Sequence, residues 1–385
     1  MTYTPTQLKA ALLEKAAALG LDVVGVAPAA PFLKEQEYLR LREEAGRGPN
    51  PYEPKETERR IFPEMLLPGV QSIIAAGISY LVPDEEDAPP TIEGPKGWLS
   101  RYCRGLDYHQ LLKARLDALA AWLSAEVPES HTLVYVDTGP PLDRAVAERA
   151  GVGKFGKHTN LITREHGTWV FLGEMLTDVP LPPDEPALPA CGSCTLCIDA
   201  CPTQALTEFN LNANQCLSYV TQMKGIIPEE YREVMGNRLF GCDDCQDVCP
   251  YNRRAKSGGH PEFAPVPELG GEPNLLQMMA MTKGDFKRLF EPTAAGWRGK
   301  TTIQRNALVA LGNAGDPQGF PALRDALASD SQVLRAHAAW GLGRLAAQAP
   351  GVLPDARAAL EARRTVETDA EVRVEIENAL QRLGG

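Results

Sequence analysis

Cysteine spacing constrains this chain more than any other feature: eight of its nine cysteines fall in two runs. Cys191, Cys194, Cys197 and Cys201 are spaced C-x2-C-x2-C-x3-C and are followed by Pro202. This is the run of bacterial two-cluster ferredoxins, in which three thiolates hold one 4Fe-4S cube and the fourth reaches across to the other. Cys242, Cys245 and Cys249 repeat the ending before Pro250, with Cys216 standing upstream. The crossed rule gives Cys191, Cys194, Cys197 and Cys249 to one cube, and Cys201, Cys216, Cys242 and Cys245 to the other. Each cube then has four ligands and no cysteine of the module is left over. Such a chain moves electrons.

Other uses of cysteine fit less well. Structural zinc sites take their four ligands as two pairs, and a triple C-x2-C-x2-C wraps poorly around one tetrahedral ion. Disulfides need an oxidising compartment. The stretch MTYTPTQLKAALLEKAAALG has the pattern of an amphipathic helix, without the charged, apolar and small-residue order of a secretory leader. A cytoplasmic location is expected. No apolar stretch approaches the ~20 residues needed to span a bilayer, so no membrane association is expected. The net charge of -11 opposes nonspecific nucleic-acid binding, so any RNA contact must come from a local basic patch.

The expected fold class is a multidomain α+β chain: an N-terminal α/β domain over residues 1–185, a two-cluster ferredoxin-like module over 186–260 and an all-α HEAT-like repeat domain over 261–385. In the first, Leu21–Ala27, Gln71–Leu81, His131–Asp137 and Thr168–Leu176 read as strands and Tyr108–Ala125 as an amphipathic helix. The proline-rich stretch Pro180–Pro189 reads as a linker. In the third, Ile303–Gly312 recurs 31 residues on as Leu334–Gly343 and more loosely as Val372–Gln381. Small residues where helices would touch suit a stacked repeat, although a helical cap would share the pattern.

Iron-sulfur cubes pass single electrons and seldom transform a substrate, so a second centre is expected in the N-terminal domain. No G-x-G-x-x-G follows a strand there. The run Val136–Ile162, VDTGPPLDRAVAERAGVGKFGKHTNLI, ends a strand on Asp137 and continues through a helix into a glycine-rich turn. Asp137 could equally cap that helix. Cys103 lies between Arg101, Tyr102 and Arg104, neighbours that favour a thiolate, although a lone cysteine is more often core filler. Lys283, Lys287, Arg288, Arg298, Lys300 and Arg305, interleaved with Phe286, Phe290 and Trp297, mix phosphate-binding charge with stacking surface. Arg253, Arg254 and Lys256 form a smaller patch. A solvated charged face is the plain alternative. On the residues alone, the chain is a two-cluster redox enzyme with an α/β partner domain.

Five segments carry a closer resemblance: RRIFPEMLLPG at 59–69, RYCRGLDYH at 101–109, the Val136–Ile162 run, the cysteine module, and RNALVALGN opening the repeats. Together they resemble the epoxyqueuosine reductases, cobalamin-dependent enzymes that finish queuosine in tRNA. The resemblance implies that the N-terminal domain binds cobalamin and is catalytic, that Asp137 donates a proton to the opening epoxide, and that Asp137 needs a raised pKa to hold that proton near neutrality. It implies that Arg60, Cys103, Asp137, Lys157, His158 and Asn160 surround the corrin and its tail. Alanine stands at the Cys103 position in other relatives, so that thiol is not essential. This chain has Gly153-Lys154 and His158 where the family usually has glycine-tryptophan and asparagine. It also lacks the D-x-H-x-x-G that supplies a lower histidine ligand in many cobalamin proteins. The implied substrate is tRNA with a GUN-type anticodon, for aspartate, asparagine, histidine and tyrosine, docked by Arg253, Arg254, Lys287, Arg288, Trp297, Arg298 and Lys300. The implied electron source is an external low-potential donor such as ferredoxin or flavodoxin, serving a monomer. Two rivals remain: a reductive dehalogenase, which shares the plan of cubes plus corrin, and an electron-transfer scaffold with no substrate site.

Overall fold

All four strands expected in the N-terminal domain form, and they join one sheet. A computed structural model describes residues 3–48, 51, 56–83, 93–187 and 191–384. The strands are β1 (Val23–Pro28), β2 (Ser72–Ser79), β3 (Thr132–Tyr135) and β4 (Val170–Thr177), in the order β1-β2-β4-β3. Every neighbouring pair is antiparallel. The sheet is therefore of the α+β kind. Helix α1 (Tyr108–Glu126) links β2 to β3 as a parallel crossover would, but β4 inserts between them, giving a split βαβ unit. Alternating patterns reveal the order of elements and not which strand claims which edge.

Helices cover both faces, so β2 is buried along its whole length. Leu112, Leu116, Leu119 and Leu123 recur at helical spacing and bury one stripe of α1. Gly173 of β4 admits Leu116, whose Cδ1 would lie 2.8 Å from a Cβ added there. On the opposite face, Ala145 and Val146 of α2 (Asp143–Arg149) pack with Ile73, Ala75 and Leu176. The proline-rich stretch is no free linker, although its residues 188 and 189 lie outside the described ones. The Asp184 amide donates to Val26 O at 2.8 Å and its Oδ2 accepts from the Val26 amide at 2.9 Å, while Lys9 pairs with Oδ1. The exposed edge of β1 is thereby closed.

The chain groups into two units, each built from three separate segments. One comprises Met1–Pro83, Asp107–Asn214 and Asp244–Phe263; the other comprises Asp84–Leu106, Gln215–Asp243 and Ala264–Gly385. The second unit shows why the cysteine module divides. Its helix α3 (Leu217–Gln222) packs Leu217 and Val220 against Val309 and Trp340 of the repeat helices α4 (Lys300–Ala314) and α5 (Gln332–Gln348). Arg305 of α4 is 1% exposed and donates to the carbonyls of Thr221, Met223 and Gly225, while Asn306 donates to those of Thr221 and Leu239. His337 of α5 is wholly buried; its Nδ1 donates to Val333 O and its Nε2 accepts from the Ile227 amide.

The repeats stack as their small residues suggest. A Cβ on Gly312 of α4 would lie 2.8 Å from the Gly341 Cα of α5, and one on Gly343 would lie 3.0 Å from the Ala379 Cβ of α6 (Ala370–Gly384). Among the described residues no helix is long and apolar enough to cross a membrane.

Candidate active site

Cys191, Cys194, Cys197 and Cys249 all belong to the first unit. Burial pushes the Cys197 thiol up to about 11, and the charges of Cys191, Cys249 and Cys194 add to this. Iron would take these sulfurs as thiolate ligands, since metal binding releases the thiol protons. The donor set fits a 4Fe-4S cube. Backbone amides reach two sulfurs, Lys157 N–H to Cys191 Sγ at 3.4 Å and Ala205 N–H to Cys201 Sγ at 3.3 Å. Of the second set, Cys201 and Cys245 belong to the first unit and Cys216 and Cys242 to the second.

Asp137 sits just past β3 at φ 54. The Thr138 amide closes a three-residue turn on Val136 O at 2.5 Å, a rare and strained arrangement that persists only where the surroundings impose it. The Tyr108 hydroxyl donates to Asp137 Oδ2 at 2.9 Å, and His109 Nε2 lies 3.4 Å from the same oxygen. His109 Nδ1 donates to Asp107 Oδ1 at 2.6 Å, and Asp107 also caps α1 through the His109 amide. Tyr108 stacks on Phe171 of β4, with ring centroids 3.9 Å apart and planes at 5°. One helix start thus aims two side chains at Asp137.

The charge state of this array differs from the raised Asp137 pKa expected. The His109 imidazole beside it holds the Asp137 carboxyl below its ordinary value, against some opposition from burial. Burial lowers His109, but the carboxylates of Asp107, hydrogen-bonded to Nδ1, and Asp137, 3.4 Å from Nε2, outweigh it and raise the imidazole from 6.5 to about 9. At neutral pH the mobile proton rests on His109 between two carboxylates. Its stabilising effect on the fold is complete below pH 6.5 and is lost as pH rises through about 9. The Asp137 side chain remains 58% exposed.

A polar interior lies on the α2 face of the sheet. Glu174, 1% exposed, is opposite Tyr135 and Ala75 in the sheet register. Burial raises its pKa strongly, and the charge of nearby Asp143 adds to this. Asp143 is itself raised to about 6, by burial first and, among other causes, by the charge of Asp137. Arg144 donates to Thr159 O at 2.7 Å, bracing the turn that carries His158. His158 is 3% exposed; its Nδ1 accepts from the Asn160 amide at 3.1 Å, and its Nε2 has no partner among the described residues. Burial and the Arg144 charge push it down to about 4, so the imidazole is neutral. Arg60 lines an apolar cleft with Leu142, Val146 and Leu176.

Several expectations change. Cys103 is 1% exposed, its thiol donates to Ser100 O, and burial together with the Asp243 charge raises its pKa far above the ordinary range. Burial keeps it a neutral thiol although Arg104 opposes this, and Arg101 faces Asp243 at 3.7 Å. Lys157 directs its ammonium to Glu208 and its amide to the cluster ligand Cys191. In the basic segment, Arg305, Phe286 and Phe290 are buried and offer RNA nothing. Arg298 bonds Gln222 O and lies over Trp297, Lys300 bonds Met281 O, and Arg288 is exposed but paired with Glu268. Lys287, Arg253, Arg254 and Trp297 are exposed. The reading of single residues missed Tyr108, His109, Asp143 and Glu174. The one signal for Glu174 is a lone acid in the otherwise apolar strand TWVFLGEML.

Comparison with known proteins agrees with this architecture. Family models match at residues 60–138 (Epoxyqueuosine reductase QueG, DUF1730), 190–252 (4Fe-4S double cluster binding domain) and 299–381 (HEAT repeats). Epoxyqueuosine reductase of Bacillus cereus is 39% identical over 381 residues, 98% of each chain. A crystal structure of epoxyqueuosine reductase with an epoxyqueuosine-modified tyrosine tRNA stem loop superposes with TM-score 0.89 at 37% identity, over 98% of this chain and 99% of that one. The Bacillus subtilis enzyme, solved with an aspartate catalytic loop swung out of its active site, gives 0.87 at 36% identity over the same shares. With the double cysteine run, the helical repeats and an aspartate held at a strained strand end all in place, this chain belongs to the epoxyqueuosine reductase family and is an oxidoreductase.

Proposed function

We propose that the protein reduces epoxyqueuosine at the wobble position of tRNA to queuosine. The observation that carries this reading is the Asp107–His109–Asp137 array, which stores a proton 3.4 Å from a carboxylate open to solvent. Converting an epoxide to an alkene consumes two electrons and two protons and releases water. Electrons would come from an external donor such as ferredoxin or flavodoxin and pass through the two clusters. Cobalamin, when bound, supplies a low-valent cobalt able to deliver two electrons to an epoxide carbon. Arg60, His158 and Asn160 would hold it, and Cys103 is retained as a corrin neighbour on the family resemblance alone.

The chain's own residues manage the protons. Asp137 passes the proton of His109 to the oxygen as the C–O bond breaks, a contribution worth ~10²- to 10⁴-fold. Tyr108 fixes the carboxylate that does so. Because Asp137 is open to solvent, the array recharges for the second proton, and the oxygen departs as water. Exposed Arg253, Arg254, Lys287, Arg288 and Trp297, with Arg298 and Lys300, would supply phosphate contacts and stacking to an anticodon loop whose modified base is splayed out. The tRNA-bound relative supports this.

Anaerobic reconstitution with cobalamin and iron, followed by mass analysis of nucleosides from epoxyqueuosine tRNA, tests the proposal. Loss of one oxygen from the modified nucleoside is expected. An unchanged nucleoside from a fully loaded, reduced protein would overturn it.

A further inference from the structure

Lys157 is fastened at three points outside the proton array. Its amide donates to Cys191 Sγ at 3.4 Å, its carbonyl accepts from the Phe209 amide at 3.2 Å, and its ammonium is held by Glu208 Oε1 at 2.7 Å. The Lys157 side chain is only 6% exposed, whereas that of Glu208 is 58% exposed. Glu208 and Phe209 form the turn between the short strands Leu206–Thr207 and Asn210–Leu211. Phe209 takes φ 58 there, a conformation that a bulky side chain adopts only when its surroundings impose it. The turn therefore presents Glu208 to the ammonium in a fixed geometry, beside the Lys157 amide that reaches Cys191 of the first cluster.

A cube that accepts an electron gains one negative charge, and its potential follows net charge, hydrogen bonds to sulfur and solvent exposure. A cation shielded from water acts on that charge with little screening. An exposed carboxylate acts on it weakly. We propose that the Lys157–Glu208 pair sets the reduction potential of the cluster held by Cys191, Cys194, Cys197 and Cys249, the ammonium favouring the reduced cube and the carboxylate opposing it. Lys157 is a positioning residue: it acts through the cluster and touches no substrate. No bond is made or broken; one electron enters the cube beside a fixed positive charge. The inference rests on the cluster assignment and holds whatever substrate is reduced.

Potentiometric titration of the reconstituted full-length protein, followed by electron paramagnetic resonance, tests it, with iron and sulfide content measured first. Lys157→Gln should keep its iron and make the first cluster harder to reduce, by about tenfold in the reduction equilibrium, ~59 mV for a one-electron couple. Glu208→Gln should move the same step in the opposite direction by less, and Lys157→Arg should stay near the parent. The step of the second cluster should move less than that of the first. Unmoved steps in an iron-replete Lys157→Gln protein, or shifts of the same sign in Lys157→Gln and Glu208→Gln, would overturn the proposal. Should Lys157→Gln lose iron, Glu208→Gln alone decides, since it alters only an exposed side chain and must still make the cluster easier to reduce.

Discussion

Asp137→Asn should retain both clusters and bind cofactor normally, yet reduce substrate ~10²- to 10⁴-fold more slowly in a single turnover. Asparagine tolerates the positive φ of this position better than most residues, and its amide oxygen can still accept from the Tyr108 hydroxyl. The turn and the pocket should survive. What is lost is the oxygen that takes a proton from His109 and hands it on. Measuring cofactor and iron content beside the single-turnover rate separates this outcome from misfolding. Full activity in a loaded Asp137→Asn protein would remove Asp137 from the chemistry.

Arg305→Met should be the most damaging single change outside the active site. Its guanidinium serves carbonyls at the end of α3, from Thr221 to Gly225, and the Asn306 side chain. Methionine fills much of the volume but donates nothing. Each buried acceptor left unpaired costs ~1–3 kcal/mol, so the expected loss is at least ~3 kcal/mol, read as a lower Tm. Because Cys216 begins α3, iron content should fall as well, from about eight atoms per chain toward about four. A variant with unchanged Tm and iron would show that α3 is held by its apolar contacts with Val309 and Trp340.

Local patterns in the sequence were legible; pairings between distant segments were not. Cluster ligands sit within a few residues of one another, so spacing alone identifies them, and Gly312, Gly341 and Gly343 mark helix contacts because only small side chains fit there. Asp137 stands out as the end of a strand. Its charge state does not, because that depends on Tyr108 and His109, brought to it by the start of another element. The basic segment misled for a related reason. Charge counts treat Lys287 and Arg305 alike, but α4 lies between neighbouring helices and buries every residue from Thr302 to Gly312, so Arg305 serves the fold. The insertion of β4 between β2 and β3 likewise depends on contacts that no local periodicity encodes.

The location of the proton is the claim on which the mechanism turns, and the pH dependence of the single-turnover rate tests it most directly, using pre-reduced protein and epoxyqueuosine stem loop. His109 is charged below about 9 and Asp137 stays ionised. The rate should therefore hold level through neutrality and fall above about pH 9, and His109→Gln should be slower and lack that falling limb. A limb near 9 that persists in His109→Gln, or a parent rate that already falls as pH rises through the ordinary carboxyl range, would contradict a proton stored on His109.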